Sequence, residues 1–327
     1  MTNAPTFTSM MPTSKEGPGT DYILFVHGVK TRSKEDFFKN TQTIFQPIEA
    51  KLKAQGRTVK SVPCFWGDCG NEAIRQLQDG LQQSSVWKEI WFQGFRIEEI
   101  LNFAGDGALY LSRSVGSGVV NAIYNSALAK LQNLKSGDRL HLVTHSWGTV
   151  ILLDLLFAKR WTSEAFKAVD LETWTNVQQV RETLFGLGKE PGVGLKLGSI
   201  HTMGSPIALF NLMNTGEMNS HDIAPDMNAF FRALHQATGK ALPWNNYLHP
   251  GDPIAYPLEG ITQQFFRDDR SIQDIVKVRD RLVTTNALSE KLMGITRSSI
   301  VSILYGGTAH NSYWKLPEIP KGIIETL

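Results

Sequence analysis

Short apolar runs alternate along the chain with longer segments in which apolar residues recur at helical spacing. The run Tyr22–Val26 ends at a His-Gly pair, as a buried parallel strand does. Similar patterns predict further strands at Thr58–Phe65, Leu140–Thr144, Leu197–Met203 and Asn246–Leu248. Because strands and helices alternate, we predict an α/β fold with a mostly parallel central sheet and helices on both faces.

The helical segments differ in length and regularity. Apolar spacing predicts helices at Phe37–Gln55, with a break at Pro47, and at Trp147–Lys159. A long helical stretch is predicted over Glu72–Leu134, and residues 261–294 are predicted to be polar and mostly helical.

The domain organisation follows from these segments. We predict a flexible tail over residues 1–20, which are polar and rich in Thr, Ser and Pro. Residues 21–327 are predicted to form a single α/β domain with helical insertions at about 70–135 and 161–194.

Composition and charge exclude several classes of protein. Hydrophobic residues make up 42% of the 327 residues, which is enough for a packed core. The net charge is +2, from 33 basic and 31 acidic residues, so no nucleic-acid partner is implied. No secretory signal and no apolar run of roughly 18 residues is present, so we expect a soluble, cytoplasmic protein, with signal-less export as the open alternative.

The chain carries no recognisable cofactor or metal motif. It has two cysteines, Cys64 and Cys69, which we interpret as reduced thiols rather than a redox pair. No Gly-rich phosphate loop and no metal-ligand spacing occurs. We therefore expect neither a cofactor nor a metal.

The strongest chemical signal is the segment Leu140–Val150. A strand is followed by the turn Thr144-His145-Ser146-Trp147-Gly148 and then by an apolar helix. The nucleophile elbow G-x-S-x-G has this strand–turn–helix context, and it presents a serine hydroxyl clear of the backbone. Here Thr144 takes the place of the first glycine. An ordinary capped turn is the alternative interpretation.

With this turn, three further segments resemble the lipase and esterase branch of the α/β-hydrolase superfamily. They are Phe25–Val29, Gly105–Leu111 and Thr202–Pro206. The resemblance spans roughly residues 21–315 and is most specific at the serine turn and the His-Gly pair. It implies that Ser146 is a nucleophile and that the backbone N–H groups of Val29 and Trp147 form an oxyanion hole.

The resemblance also implies a base and an acid downstream of the serine. In this fold the chain order is Ser, then Asp or Glu, then His. His310 is the best candidate for the base, because it follows an apolar run, Ser299–Tyr305, and a Gly-Gly pair near the end of the chain. The other downstream histidines are interpreted as packing, solvated or loop residues: His201, His221, His235 and His249.

Asp252 is the candidate acid, since it lies in a turn-rich loop after a short strand. Its role would be to hold the imidazole in the right tautomer. Asp222 and Asp226 are the rival acids. Asp154, inside the helix that follows the serine, is interpreted as structural.

The role of one aromatic segment and the reaction catalysed each have more than one interpretation. The aromatic segment Trp87–Phe95 is either a lid over an acyl chain or a buried helix face, and we favour the second. The function predicted is hydrolysis of a small-molecule or lipid carboxylic ester through an acyl-enzyme. A thioesterase or amidase with the same triad, and a non-catalytic binding protein, are the alternatives.

Overall fold

The computed structural model describes residues 19–111, 113–131, 133–135, 137–185, 195–210, 223–266, 269–284 and 308–327. Most of the predicted tail and the apolar run Ser299–Tyr305 lie outside these residues.

Within the described residues, the centre of the structure is a six-stranded sheet in the order β2-β1-β3-β4-β5-β6. All five neighbouring pairs are parallel, so the predicted α/β class is confirmed. The strands are β1 Thr20–Val26, β2 Thr58–Cys64, β3 Arg139–His145, β4 Lys196–Met203, β5 Leu242–Leu248 and β6 Val276–Leu282.

Helices connect these strands and cover the sheet. The α-helices are α1 Lys34–Ala54, α2 Asn71–Gln82, α3 Gln93–Phe95, α4 Asn102–Leu111, α5 Arg113–Leu128, α6 Trp147–Phe157, α7 Glu164–Val169, α8 Leu171–Phe185, α9 Ile207–Phe210, α10 Ala224–Thr238, α11 Thr262–Phe265, α12 Arg270–Ile275 and α13 Glu318–Ile324. The described residues also include short 3₁₀ helices at Trp87–Glu89, Lys159–Trp161, Glu259–Ile261 and Tyr313–Lys315, and a π-helical turn at Arg96–Leu101. Residues 308–312 form a further helical turn.

The buried apolar residues that the structure describes form two hydrophobic cores, on opposite faces of the sheet. Side chains alternate along a strand, so Leu24 and Val26 join the larger core while Ile23 and Phe25 join the other. The larger core packs against α6 and α10. The smaller one packs against α1 and the segment 308–327.

The stretch Glu72–Leu134 is helical over most of its described residues and is divided into several helices, with a break at Phe92, whose φ of 59° is left-handed. Two other predictions about the elements are wrong. Helix α1 runs through Pro47 without ending, held by its buried face. The segment 261–294 contains strand β6, in which four of the seven residues are charged. This strand lies at the end of the described sheet, where charged side chains suit an edge.

The parallel register determines where functional groups can gather. Val26 pairs with Thr144, and Thr144 pairs with Thr202. The residues that follow these strands therefore meet at one edge of the sheet, the carboxyl end. Ligand sites in open α/β sheets form at this edge.

Candidate active site

Ser146 occupies a strained turn between β3 and α6. Its φ of 54° and ψ of −129° are rare for a residue with a side chain. The backbone N–H of Ser146 donates to the Met203 carbonyl at 2.8 Å, which ties the turn to β4. The strain is therefore maintained by the neighbouring strand.

Two glycines permit the close packing around this turn. A Cβ atom at Gly28 would lie 2.5 Å from the Cβ of Ser146, and one at Gly148 would lie 2.5 Å from the His27 carbonyl oxygen. Thr144, which replaces the first glycine of the elbow pattern, is accommodated because its hydroxyl hydrogen-bonds that of Thr149 at 2.7 Å. The threonine at this position therefore adds a hydrogen bond across the elbow that a glycine could not form.

The structure brings the three predicted triad residues together. His310 Nε2 lies 2.7 Å from Ser146 Oγ, and His310 Nδ1 lies 2.9 Å from Asp252 Oδ2. Asp252 follows β5, and His310 lies in the helical turn 308–312. In the tautomer that suits these distances, the Ser146 hydroxyl donates to Nε2 and Nδ1–H donates to the carboxylate.

Asp252 is held as a carboxylate by several donors. Burial acts to raise its pKa, but the hydrogen bond and charge of His310, with the Ile254 N–H and the Tyr313 hydroxyl, hold the pKa of Asp252 below its usual value. Gly204 leaves the room for this group, since a Cβ there would lie 2.7 Å from Asp252 Oδ2. Gly204 also has a φ of 58°, which favours glycine.

Tyr313 is a site residue that the sequence did not reveal. Its hydroxyl donates to Asp252 Oδ2 at 2.8 Å and accepts the His249 N–H at 2.8 Å. It lies three residues after His310, so one short segment supplies both side chains that bond Asp252 Oδ2. The sequence signal was only the motif Ala309–Trp314, in which a tyrosine gives no sign of a polar role.

Two more histidines, His27 and His145, flank the site in neutral form. His145 Nε2–H donates to the His310 carbonyl at 2.7 Å. His27 Nδ1–H donates to the Gly28 carbonyl at 2.7 Å, and its Nε2 accepts the Trp66 N–H at 3.0 Å. Burial is the main cause that lowers the pKa of each to about 3.

The residues predicted to carry the oxyanion donors adjoin the serine turn or its contacts. Val29 follows Gly28, which packs against the Ser146 side chain, and Trp147 is the first residue of α6. Val29 is buried, and the Trp147 ring is half-buried against the larger core.

The rival residues lie elsewhere or are not described. Asp226 is exposed in the first turn of α10, and His235 on the same helix bonds the Lys240 carbonyl. Asp222 and His221 lie outside the described residues. His249 shapes the acid's loop, because its Nδ1 accepts the Gly251 N–H at 3.1 Å.

A second Ser-His-Asp chain is present at the opposite end of the sheet. His141 Nδ1 lies 2.7 Å from Ser199 Oγ, and His141 Nε2 lies 3.2 Å from Asp21 Oδ1. Ser199 is wholly buried within β4 and also bonds His201. Ser199 lies within a strand and has no access to solvent, so this set of hydrogen-bonded side chains is structural.

Asp154 and the aromatic segment Trp87–Phe95 have no part in the hydrogen-bond chain of the triad. Asp154 is structural, since it accepts hydrogen bonds from Tyr110, Arg160 and Trp161. The buried-face interpretation of Trp87–Phe95 is wrong for Trp91 and Phe92, which are 79% and 73% exposed.

Within the described ranges, no three potential ligands cluster as a metal site would. No helix among those residues is both long and apolar enough to cross a bilayer.

A parallel sheet with a serine held at positive φ between a central strand and its helix defines an α/β-hydrolase-fold protein. No family model matches the sequence. No curated protein matches it either.

Two solved structures are similar to the chain at low identity. One is a dienelactone hydrolase-like promiscuous phosphotriesterase from metagenomic libraries, with 11% identity and a TM-score of 0.32, covering 92% of this chain and 88% of that one. The other is Est1E from Butyrivibrio proteoclasticus, with ferulic acid bound, at 9% identity and a TM-score of 0.31, covering 89% and 92%. The fold assignment rests on the strand order and the serine turn.

The two neutral histidines predict a pH-dependent stability. The unfolded pKa is about 6.5 and the folded pKa about 3 for both His27 and His145. The unfolded state therefore binds more protons between these values, and the stabilisation is complete above pH 6.5 and lost as the pH falls towards 3. Each residue adds a slope of up to about 1.4 kcal/mol per pH unit to the unfolding free energy.

Urea unfolding at a series of pH values measures this slope. His145→Gln keeps a donor for the His310 carbonyl but cannot titrate, so the slope should fall by the share of one histidine. An unchanged slope in that variant would show that His145 is not held neutral.

Proposed function

We propose that this protein is a serine hydrolase that cleaves carboxylic esters through an acyl-enzyme. The observation that carries the proposal is the continuous hydrogen-bond chain from Ser146 through His310 to Asp252, with distances of 2.7 Å and 2.9 Å. A serine hydroxyl is a poor nucleophile at neutral pH, and an adjacent imidazole activates it. A purely binding protein would have no use for this chain.

In the first half of the reaction, Ser146 Oγ attacks the ester carbonyl carbon while His310 Nε2 takes the hydroxyl proton. Asp252 stabilises the imidazolium that forms and keeps Nδ1 protonated. The N–H groups of Val29 and Trp147 bind the oxyanion of the tetrahedral intermediate, a charge that the substrate lacks. The C–O bond to the alcohol then breaks, and the alcohol leaves with the proton from His310.

In the second half, water attacks the acyl-enzyme. His310 takes a proton from this water, a second tetrahedral intermediate forms on the same donors, and its collapse returns the proton to Ser146 Oγ. The acid product leaves and the resting enzyme is restored. The same machinery serves a thioester or an amide, so the bond cleaved is decided by comparing matched substrates.

A fluorophosphonate probe tests the proposal, because it reacts covalently with activated serines. The wild-type chain should be labelled on the peptide that contains Ser146, and Ser146→Ala should not be labelled. Ser199→Ala is the matched control, since Ser199 also bonds a histidine that reaches an aspartate. It should be labelled as the wild type is.

Equal labelling of the wild type and Ser146→Ala would remove Ser146 from this role. Absence of labelling in a folded wild-type chain would favour a binding protein. An ester panel of increasing acyl length, with thioester and amide analogues, run on the same variants then defines the substrate class.

A further inference from the structure

Helix α4 contacts both segments that carry the proposed oxyanion donors. One segment is the loop that follows β1, and the other is the start of α6. The contacts come from Asp106, Gly107 and Tyr110. Tyr110 is three positions after Gly107 and four after Asp106, so it lies beside both on the helix surface. The motif Gly105–Leu111 therefore lies beside the site, although it contributes no residue to the triad.

Asp106 fixes the first segment. Its carboxylate is 2% exposed, and it accepts the Lys30 N–H at 2.9 Å and the Arg32 guanidinium at 2.7 Å. Lys30 has a φ of 64°, a conformation that residues with side chains rarely adopt. The bond to Asp106 therefore holds in place a strained turn directly after Val29.

This contact also bears on the proposed donor of the loop. The Lys30 N–H donates to Asp106 and is therefore not available to an oxyanion, whereas the preceding N–H, that of Val29, is the proposed donor. Holding the Val29–Lys30 peptide in one orientation limits ψ of Val29, so the carboxylate restrains the conformation of the residue that carries the proposed donor.

The same helix fixes the second segment. A Cβ atom at Gly107 would lie 2.7 Å from Cζ2 of Trp147, so the indole ring rests on the helix backbone. The Tyr110 hydroxyl donates to Asp154 on α6 at 2.6 Å. Trp147 and its helix are therefore held against the same face that holds the Lys30 turn.

We infer that Asp106 is a positioning residue for the oxyanion hole, setting the Val29 N–H relative to the Trp147 N–H. The inference rests on the proposed function, since it assigns a task within that reaction. Asp106 touches no reacting atom, and it acts through the backbone of Lys30. An oxyanion exists only in the transition state and intermediates, so a displaced donor lowers kcat and leaves substrate binding nearly unchanged.

Steady-state kinetics on an ester tests the inference with Asp106→Ala and Asp106→Asn. The alanine variant should lose roughly 10- to 100-fold in kcat, less than or equal to the loss of one whole donor, with KM within about two-fold of the wild type. The asparagine variant should lie between it and the wild type, because its amide oxygen still accepts one bond. Exchange of the Lys30 amide hydrogen should be faster in the alanine variant.

Asp138→Ala is the matched control. Asp138 is also a buried carboxylate, and it accepts the backbone N–H groups of Thr20 at 2.7 Å and Lys135 at 2.9 Å, at the opposite edge of the sheet. Its loss should lower the unfolding free energy comparably while kcat stays at the wild-type level.

Wild-type kcat in Asp106→Ala, or an equal loss of kcat in Asp138→Ala, overturns the inference and leaves the proposed function intact. If the alanine variant does not fold, a wild-type kcat in Asp106→Asn overturns it. A wild-type chain without Ser146-dependent turnover overturns the proposed function, and this inference with it.

Discussion

Replacing His310 by alanine should reduce kcat for ester hydrolysis by roughly a million-fold, and Ser146→Ala should do the same. The His310 imidazole is the group placed to take the serine proton, at 2.7 Å from Oγ. Because the two side chains act as one unit, the double variant should be no slower than either single variant. The kcat values of the two single variants and the double variant are measured with one soluble ester, with long incubation times for these slow variants.

His235→Ala is the control for the loss of an imidazole. His235 is on α10 and bonds only a nearby carbonyl among its described contacts. It should retain wild-type kcat. If the single losses multiplied in the double variant, Ser146 and His310 would be acting independently, and the triad mechanism would be excluded.

Asp252→Asn should reduce kcat by roughly ten-thousand-fold with little change in fold. An asparagine amide can donate to His310 Nδ1, which leaves the proton on Nε2 and turns a donor towards Ser146. The serine then has no base. Circular dichroism and urea unfolding check the fold, and the kinetics are run with the same ester.

Asp226→Asn is the matched control, because Asp226 was the rival acid within the described residues. It is exposed at the start of α10, and its variant should keep wild-type kcat. The opposite result, with Asp226→Asn inactive and Asp252→Asn active, would move the acid to α10 and require a rearranged site.

The serine turn and its flanking strand were predictable because their signals are local. The run Leu140–Thr144 is mostly apolar and the turn ends at a glycine before an apolar helix, so strand, turn and helix each have a signal within a few residues. The side chains of Asp252 and His310, which the resemblance proposes as acid and base, lie 2.9 Å apart. Strand β6 was missed because a short, highly charged segment at a sheet edge resembles a polar helix.

The supporting residues were not predictable, because their partners are distant in sequence. Tyr313 meets Asp252 across 61 residues, and Asp106 meets Lys30 across 76. A histidine such as His145 gives no sign that its ring will donate to the backbone of the base. Such roles depend on packing between elements, which no local pattern encodes.

The segment 308–327 contributes His310 and Tyr313, and it is fastened by Trp314, Ile319 and Ile323 to the core beneath α1. The serine turn is fastened instead to the opposite core through α6. Nucleophile and base thus belong to separate halves of the protein interior, with the sheet between them. The distance between the Ser146 and His310 side chains depends on how the two cores pack against the sheet. A substitution in the core under α1 can therefore lower the rate of hydrolysis without altering any polar group of the site.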